Sequence, residues 1–231
     1  VVTEALQNTV QQMGLFYPVD PSSRGTCYIG GNVACNSGGP RAVKYGVVKD
    51  YVLNLEVVLP SGKLIQVGGK APDRPGYDLV GLFVGAEGTL GLVTKIIVRL
   101  TSLPQAYKTM TAAFPKLRDG AQAVSDIIGR GIIPAALEMM DRPAIQVTEN
   151  AIKIGLPTDV DCLLLIELQG APDGMDRQTQ EIVSICEANR ASEVKVAQTE
   201  ADREKLWVAR RNAFGGPGRS ADPLRIGHDR H

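Results

Sequence analysis

Beyond Pro104 the chain alternates twice between β-rich apolar runs and amphipathic stretches, and no other feature limits its fold as tightly. Residues 108–114 read as a strand, 117–128 as a helix and 135–140 as a strand. The order then repeats, with 162–168 as strand, 175–188 as helix and 193–197 as strand. A sheet with an apolar face and helices with an apolar stripe must bury those surfaces on each other. Two successive strand–helix–strand units therefore predict a split-βαβ layer of sheet and helices. A last helix is predicted over about 201–214, with Thr199 placed to cap its first turn.

The preceding part is organised differently. Val2, Leu6, Val10 and Met13 recur at helical spacing, and Gly14 stands where a helix stop belongs. Residues 51–59 and 63–67 are β-rich and flank Pro60-Ser61-Gly62, which reads as a hairpin. Residues 78–84 suit a short helix and 92–100 a strand. The character changes at Ser102-Leu103-Pro104, which places a domain boundary near Pro104.

Composition narrows the function classes. Twenty-five basic residues balance 25 acidic ones, giving a net charge of zero, so a nucleic-acid partner is not expected. The longest apolar run, 163–166, is far too short to span a membrane. Both histidines, His228 and His231, lie in the last four residues, which argues against a histidine base or a histidine-rich metal site elsewhere. Cys27, Cys35, Cys162 and Cys186 form no C-x-x-C pair and read as free thiols in a reducing compartment. No metal-ligating set and no catalytic acid or base is therefore assigned.

Two glycine-bearing segments are the candidates for ligand binding. The first, Gly30-Gly31-Asn32-Val33-Ala34-Cys35-Asn36-Ser37-Gly38-Gly39, combines glycine pairs with Asn and Ser side chains. Such pairs let backbone take positive φ and approach a ligand closely, so this stretch is expected to be a loop facing an open groove. No G-K-[ST] follows it, and G-x-G-x-x-G is absent, so neither a P-loop nor a Rossmann turn is present. The second, Gly85-Ala86-Glu87-Gly88-Thr89-Leu90-Gly91, enters a strand. Glu87 there would accept from a ligand or pair with a nearby Lys or Arg. The two segments together suit one elongated ligand such as a dinucleotide, while a plain packing turn explains the glycines equally well.

The motifs also resemble a known family. Asp20-Pro21-Ser22-Ser23, Ile29 through Gly39, and Arg41-x-x-Lys44-Tyr45-Gly46 resemble the FAD-binding domain of vanillyl-alcohol-oxidase-type flavoproteins. Gly76-Tyr77-Asp78-Leu79 and Leu82 through Thr94 look like glycolate oxidase FAD subunits and their D-lactate and D-2-hydroxyglutarate dehydrogenase relatives. The stretch from Pro104 to about Arg219 is similar to the FAD-linked oxidase C-terminal domain.

The resemblance implies an α+β chain: the second half of a vanillyl-alcohol-oxidase (PCMH-type) FAD-binding domain over 1–104, then a ferredoxin-like α/β cap over 105–219. Residues 220–231 form an atypical tail. It implies FAD lined by Asp20, Pro21, Ser22, Ile29, Gly30, Gly31, Asn32, Cys35, Asn36, Gly38 and Gly39, with Glu87, Gly88, Gly91 and Val93 on the same cofactor. Cys35 and Ser37 replace the Thr and Ala usual in relatives. In Leu206-Trp207-x-x-Arg210, Arg210 would meet a substrate carboxylate, a contact suited to a planar guanidinium. By pattern alone Arg210 reads as a solvated helix arginine beside Arg203, Lys205 and Arg211.

The implied reaction is oxidation of a 2-hydroxy acid of glycolate or D-lactate type by hydride transfer to flavin. Companion electron-transfer subunits and a cytoplasmic location, peripheral to the inner membrane through those subunits, are implied as well. The family's pyrophosphate-binding half-domain and its histidine-bearing motif are not found, so the chain reads as a fragment that holds FAD weakly and is inactive alone. The alternatives are another vanillyl-alcohol-oxidase-type FAD oxidase, or a non-catalytic subunit that keeps the fold without flavin.

Overall fold

The computed structural model describes residues 1–71 and 76–212. Packing divides the chain into two compact units. Among the described residues, one comprises Val1–Tyr107 with Ile133–Leu137 and Leu168–Asp173; the other comprises Lys108–Ile132, Glu138–Glu167 and 174–212.

In the first unit, helix α1 spans Thr3–Gln12 and ends as its glycine predicts, with Gly14 at φ 75°. Val10 is buried and Leu6 packs on the core, whereas Met13 is exposed. The helix is followed by β1 (Leu15–Phe16), α2 (Ile29–Ala34) and α3 (Ala42–Tyr45). The hairpin joins β2 (Val52–Val58) to β3 (Leu64–Gly68), with Val58 opposite Leu64 and Gly62 turning the chain at φ 80°. Then come α4 (Leu79–Phe83), β4 (Leu92–Val98) and β5 (Thr101–Ser102). Asp78 caps α4 by accepting from the Gly81 amide at 2.9 Å.

Strands β3, β2 and β4 form one antiparallel sheet in that order, and β1 pairs with β5 in a second, two-stranded one. Tyr17, Val33, Val48, Leu55, Val57 and Phe83 fill the core of this unit. Leu55 and Val57 sit two apart on β2 and share a face, as the two-residue period of a strand requires. Gly91 lets β4 start close to β2, since a Cβ there would lie 2.8 Å from the Val58 carbonyl oxygen.

The second sheet comprises β6 (Ala106–Phe114), β7 (Ala136–Asp141), β8 (Cys162–Gly170) and β9 (Glu193–Val196). Its order is β7-β8-β6-β9, the split-βαβ order that the repeated pattern predicts. Helix α5 (Leu117–Gly129) and α7 (Met175–Ala188) pack together, as do α6 (Arg142–Ile152) and α8 (Glu200–Asn212). Strand β8 is buried from Cys162 to Gln169 because both its faces are covered. On one face Gly120 of α5 lies against Cys162, whose Sγ would be 2.4 Å from any Cβ there. On the other, Leu163 clusters with Ile145 of α6 and Ala209 of α8.

Helix α6 is absent from the sequence-based expectation. Its start is written as Asp141-Arg142-Pro143: the Asp141 side chain accepts from the Ala144 amide at 3.0 Å, and Pro143 occupies the first turn. Thr199 does cap α8, accepting from the Asp202 amide at 3.1 Å.

Candidate functional site

The first glycine segment is not a loop throughout. Ile29–Ala34 form the short helix α2, and neither Gly30 nor Gly31 takes a positive φ. The expectation of left-handed glycines is therefore corrected: the left-handed residue here is Asn36, at φ 47°. Tertiary bonds override the low helix propensity of the glycine pair. The Ile29 amide donates to the Val1 carbonyl at 3.0 Å, and Asn32 Nδ2 donates to Thr3 Oγ1 at 2.7 Å. Ile29, Asn32 and Val33 point inward and are buried, which leaves Gly30 and Gly31 on the outer side. A Cβ on either would meet nothing within 4 Å.

The neighbouring candidates shape this helix. Asn36 Oδ1 accepts from the Lys49 amide at 2.9 Å, which fastens the end of α2 to the following segment. Gly38 lies beside Val47, and Gly39 sits against the backbone of Asp20, whose carbonyl oxygen would be 2.1 Å from a Cβ. These two glycines therefore serve packing and do not face open space. The Asp20 carboxylate is buried and receives Arg24 at 3.4 Å and Arg41 at 3.3 Å, and Arg41 also stacks over Phe16. Pro21 is buried, Ser22 exposed and Cys35 exposed.

The second segment folds onto the first. The Gly85 amide donates to Val33 O at 2.9 Å, and the Glu87 amide to Ala34 O at 2.9 Å. Gly85, Glu87 and Gly88 have φ of 83°, 52° and 77°, so the chain turns sharply here. Glu87 and Gly88 are exposed, and Glu87 has no ion pair among the described residues. Gly91 and Val93 belong to the sheet: Gly91 packs on β2, and Val93 pairs with Val57. Of the candidates in this unit, Ser22, Gly31, Cys35, Glu87 and Gly88 are exposed, Gly30 is half-buried with open space where a Cβ would stand, and the bond from Glu87 to Ala34 brings the second segment to the end of α2.

The second unit contains the other candidate. Arg210 is buried, not solvated, and its Nε and Nη2 both donate to Glu138 Oε2 on β7. One turn earlier, buried Trp207 donates through Nε1 to Glu167 Oε2 at 2.5 Å. Arg203 donates through Nε to the same oxygen at 2.9 Å, and so does Thr109 through Oγ1 at 2.9 Å. Burial disfavours the Arg203 charge, but Glu167 and Glu200 outweigh it and hold its pKa above the ordinary arginine value. Neither Glu138 nor Glu167 is among the sequence candidates. A signal existed for one: Glu167 interrupts an otherwise apolar strand from Leu163 to Leu168.

All four cysteines are free thiols; Cys162 and Cys186 are buried, which pushes their pKa up to about 11 and about 12. Among the described residues no cluster of ligating side chains suits a metal ion, and no helix is long and apolar enough to cross a membrane. The two histidines and the tail 220–231 lie outside the described residues.

Comparison with known proteins agrees with this architecture. The family model for FAD linked oxidases, C-terminal domain, matches residues 103–225, and that for an FAD binding domain matches residues 1–68. A glycolate oxidase subunit GlcD of Bacillus subtilis is 48% identical over 220 residues, covering 95% of this chain and 47% of that protein. The Escherichia coli K12 subunit of the same name is 40% identical over 93% of this chain and 43% of its own length. A probable mitochondrial D-lactate dehydrogenase of Danio rerio is 32% identical over 93% of this chain and 43% of its own. The chain thus spans about half the length of these curated relatives. A solved alkyldihydroxyacetonephosphate synthase structure superposes with TM-score 0.72 at 22% identity, over 91% of this chain and 41% of that one. At that identity the likeness concerns fold alone.

Proposed function

Because the chain belongs to the FAD-linked oxidases, an oxidoreductase family whose cofactor is FAD, we propose that it forms part of an enzyme oxidising a small 2-hydroxy acid of glycolate or D-lactate type. The names of its relatives support that substrate class. The observation that carries the reading is a buried arginine, Arg210, in a chain that also presents an open glycine helix backed by a second glycine turn. We further assign 1–104 to the FAD-binding part, 105–219 to the cap and 220–231 to a tail, although the match to the cap's family model runs on to residue 225.

The open face of α2 fits a flat aromatic group, since an isoalloxazine or adenine ring needs backbone without Cβ atoms in its path. Gly30, Gly31, Cys35, Glu87 and Gly88 would touch FAD. Asp20, Pro21, Ser22, Ile29, Asn32, Asn36, Gly38, Gly39, Gly91 and Val93 would hold that face in shape. When bound, the flavin supplies a hydride acceptor. Arg210 binds the substrate carboxylate, and the Glu138 contact keeps its guanidinium oriented. No described residue is assigned as the base that takes the hydroxyl proton. Companion electron-transfer subunits fit the word "subunit" in two of the relatives' names, and a cytoplasmic site peripheral to the inner membrane fits such an assembly.

The chain alone is expected to hold FAD weakly and, with no described residue assigned as the base, to turn over slowly, since a positioned acid–base group contributes about 10²–10⁴-fold in rate. The test is to purify the 231-residue chain, titrate FAD by flavin fluorescence, and assay glycolate and D-lactate with an artificial electron acceptor. Saturable flavin binding that weakens in Gly31→Val supports the reading. Turnover equal to that of an intact relative overturns the weak-activity claim, and no flavin binding at any concentration overturns the cofactor site.

A further inference from the structure

Glu167 is fully buried at the centre of a strand that is otherwise apolar from Leu163 to Leu168. Burying a carboxylate costs free energy even when it is paired, and apolar substitutes for buried ion pairs are often neutral or stabilising. Stability alone is therefore a weak reason for this residue. Its hydrogen bonds suggest a directional one. Oε2 receives Thr109 Oγ1 from β6 at 2.9 Å, and Arg203 Nε and Trp207 Nε1 from α8 at 2.9 Å and 2.5 Å.

Residues 203, 207 and 210 are spaced by four and three, so their side chains share one face of α8. Glu167 thus grips two successive turns of that face, and Arg210 leaves the next turn toward Glu138. Gripping a helix at two turns fixes both its rotation about the axis and its position along it. We propose that Glu167 is the positioning residue for Arg210: through Arg203 and Trp207 it sets where α8 presents the guanidinium that binds the substrate carboxylate. This rests on the reading of Arg210 given above.

Trp207 is the sole tryptophan of the chain, so its emission reports the grip directly. The experiment titrates glycolate, and methyl glycolate as the carboxylate-free control, into the full 231-residue chain with saturating FAD, following Trp207 emission. The variants are Glu167→Gln, Arg210→Lys and the double change Glu167→Gln with Arg203→Met, which leaves no buried charge without its counter-charge. Glu167→Gln is expected to shift Trp207 emission and weaken glycolate about 10- to 100-fold, as misplacing a binding group does, while methyl glycolate is unchanged. The double variant should recover thermal stability without recovering glycolate affinity.

Unchanged glycolate affinity in Glu167→Gln overturns the inference. So does a double variant that regains stability and affinity together, for that would make Glu167 a purely structural residue. If Glu167→Gln does not fold, the double variant decides by the same criterion. If Arg210→Lys leaves affinity unchanged, or wild type shows no glycolate response, the reading of Arg210 fails and takes this inference with it. Weakened Arg210→Lys with unaffected Glu167→Gln sinks the inference alone.

Discussion

Replacing Gly30 or Gly31 with alanine separates what these glycines do for folding from what they do for a ligand. Both lie in helix α2 without positive φ, and a Cβ on either meets no atom within 4 Å. Folding therefore gains from the change: glycine inside a helix costs about 0.5–1 kcal/mol relative to alanine. For a chain of this length each substitution should raise Tm by about 1–4 °C. If a flavin ring lies against that backbone, the added methyl stands in its path and costs about 1–3 kcal/mol of binding, as overpacking does. That is a loss of roughly 5- to 150-fold in Kd. Circular dichroism melts give the first quantity, and flavin fluorescence titration into the millimolar range gives the second. A variant that is more stable and binds FAD as well as wild type would refute the argument, since the open space would then have no occupant. A variant that is less stable would refute its first half.

Three further outcomes follow from the packing and from burial. Gly39→Ala should behave oppositely to Gly30→Ala, losing about 3 kcal/mol, because its Cβ would sit 2.1 Å from the backbone oxygen of Asp20; an unchanged urea midpoint would contradict this. Exposed Cys35 should be alkylated by maleimide at pH 8, while Cys162 and Cys186, raised to about 11 and about 12 by burial, should stay protonated and unmodified. Thiol pKa values raised in the folded state contribute stability that is present below the unfolded value near 9 and lost as pH climbs through about 11 to about 12. Alkaline melts should therefore show falling Tm across that range, and the Cys162→Ala, Cys186→Ala variant should show less of that fall.

Much of the architecture was legible from residue spacing. The repeated strand–helix–strand order after Pro104 follows from apolar periodicity, which is a local property, and so do the hairpin at Gly62 and the stop of α1 at Gly14. The Thr199 cap is local too, a hydroxyl three residues from the amide it receives. Helix α6 carried its own start in Asp141-Arg142-Pro143, a capping aspartate followed by a first-turn proline, and that local signal was open to sequence reading although the sequence-based expectation omits it. What spacing cannot convey is which partner a polar side chain finds. Glycine composition at 30 and 31 suggests a left-handed loop, yet bonds from Asn32 to Thr3 and from Ile29 to Val1, more than twenty residues away, make it a helix. Arg210 reads as one more surface arginine until β7 brings Glu138 beneath it. Glu167 looks like an isolated fault in an apolar strand until β6 and α8 supply three donors. The sequence by itself determined the elements and their order, because each is set by neighbours within a few residues. Only the tertiary structure decided which glycines pack, which stay open and which charges are buried, because burial depends on segments far apart in the chain.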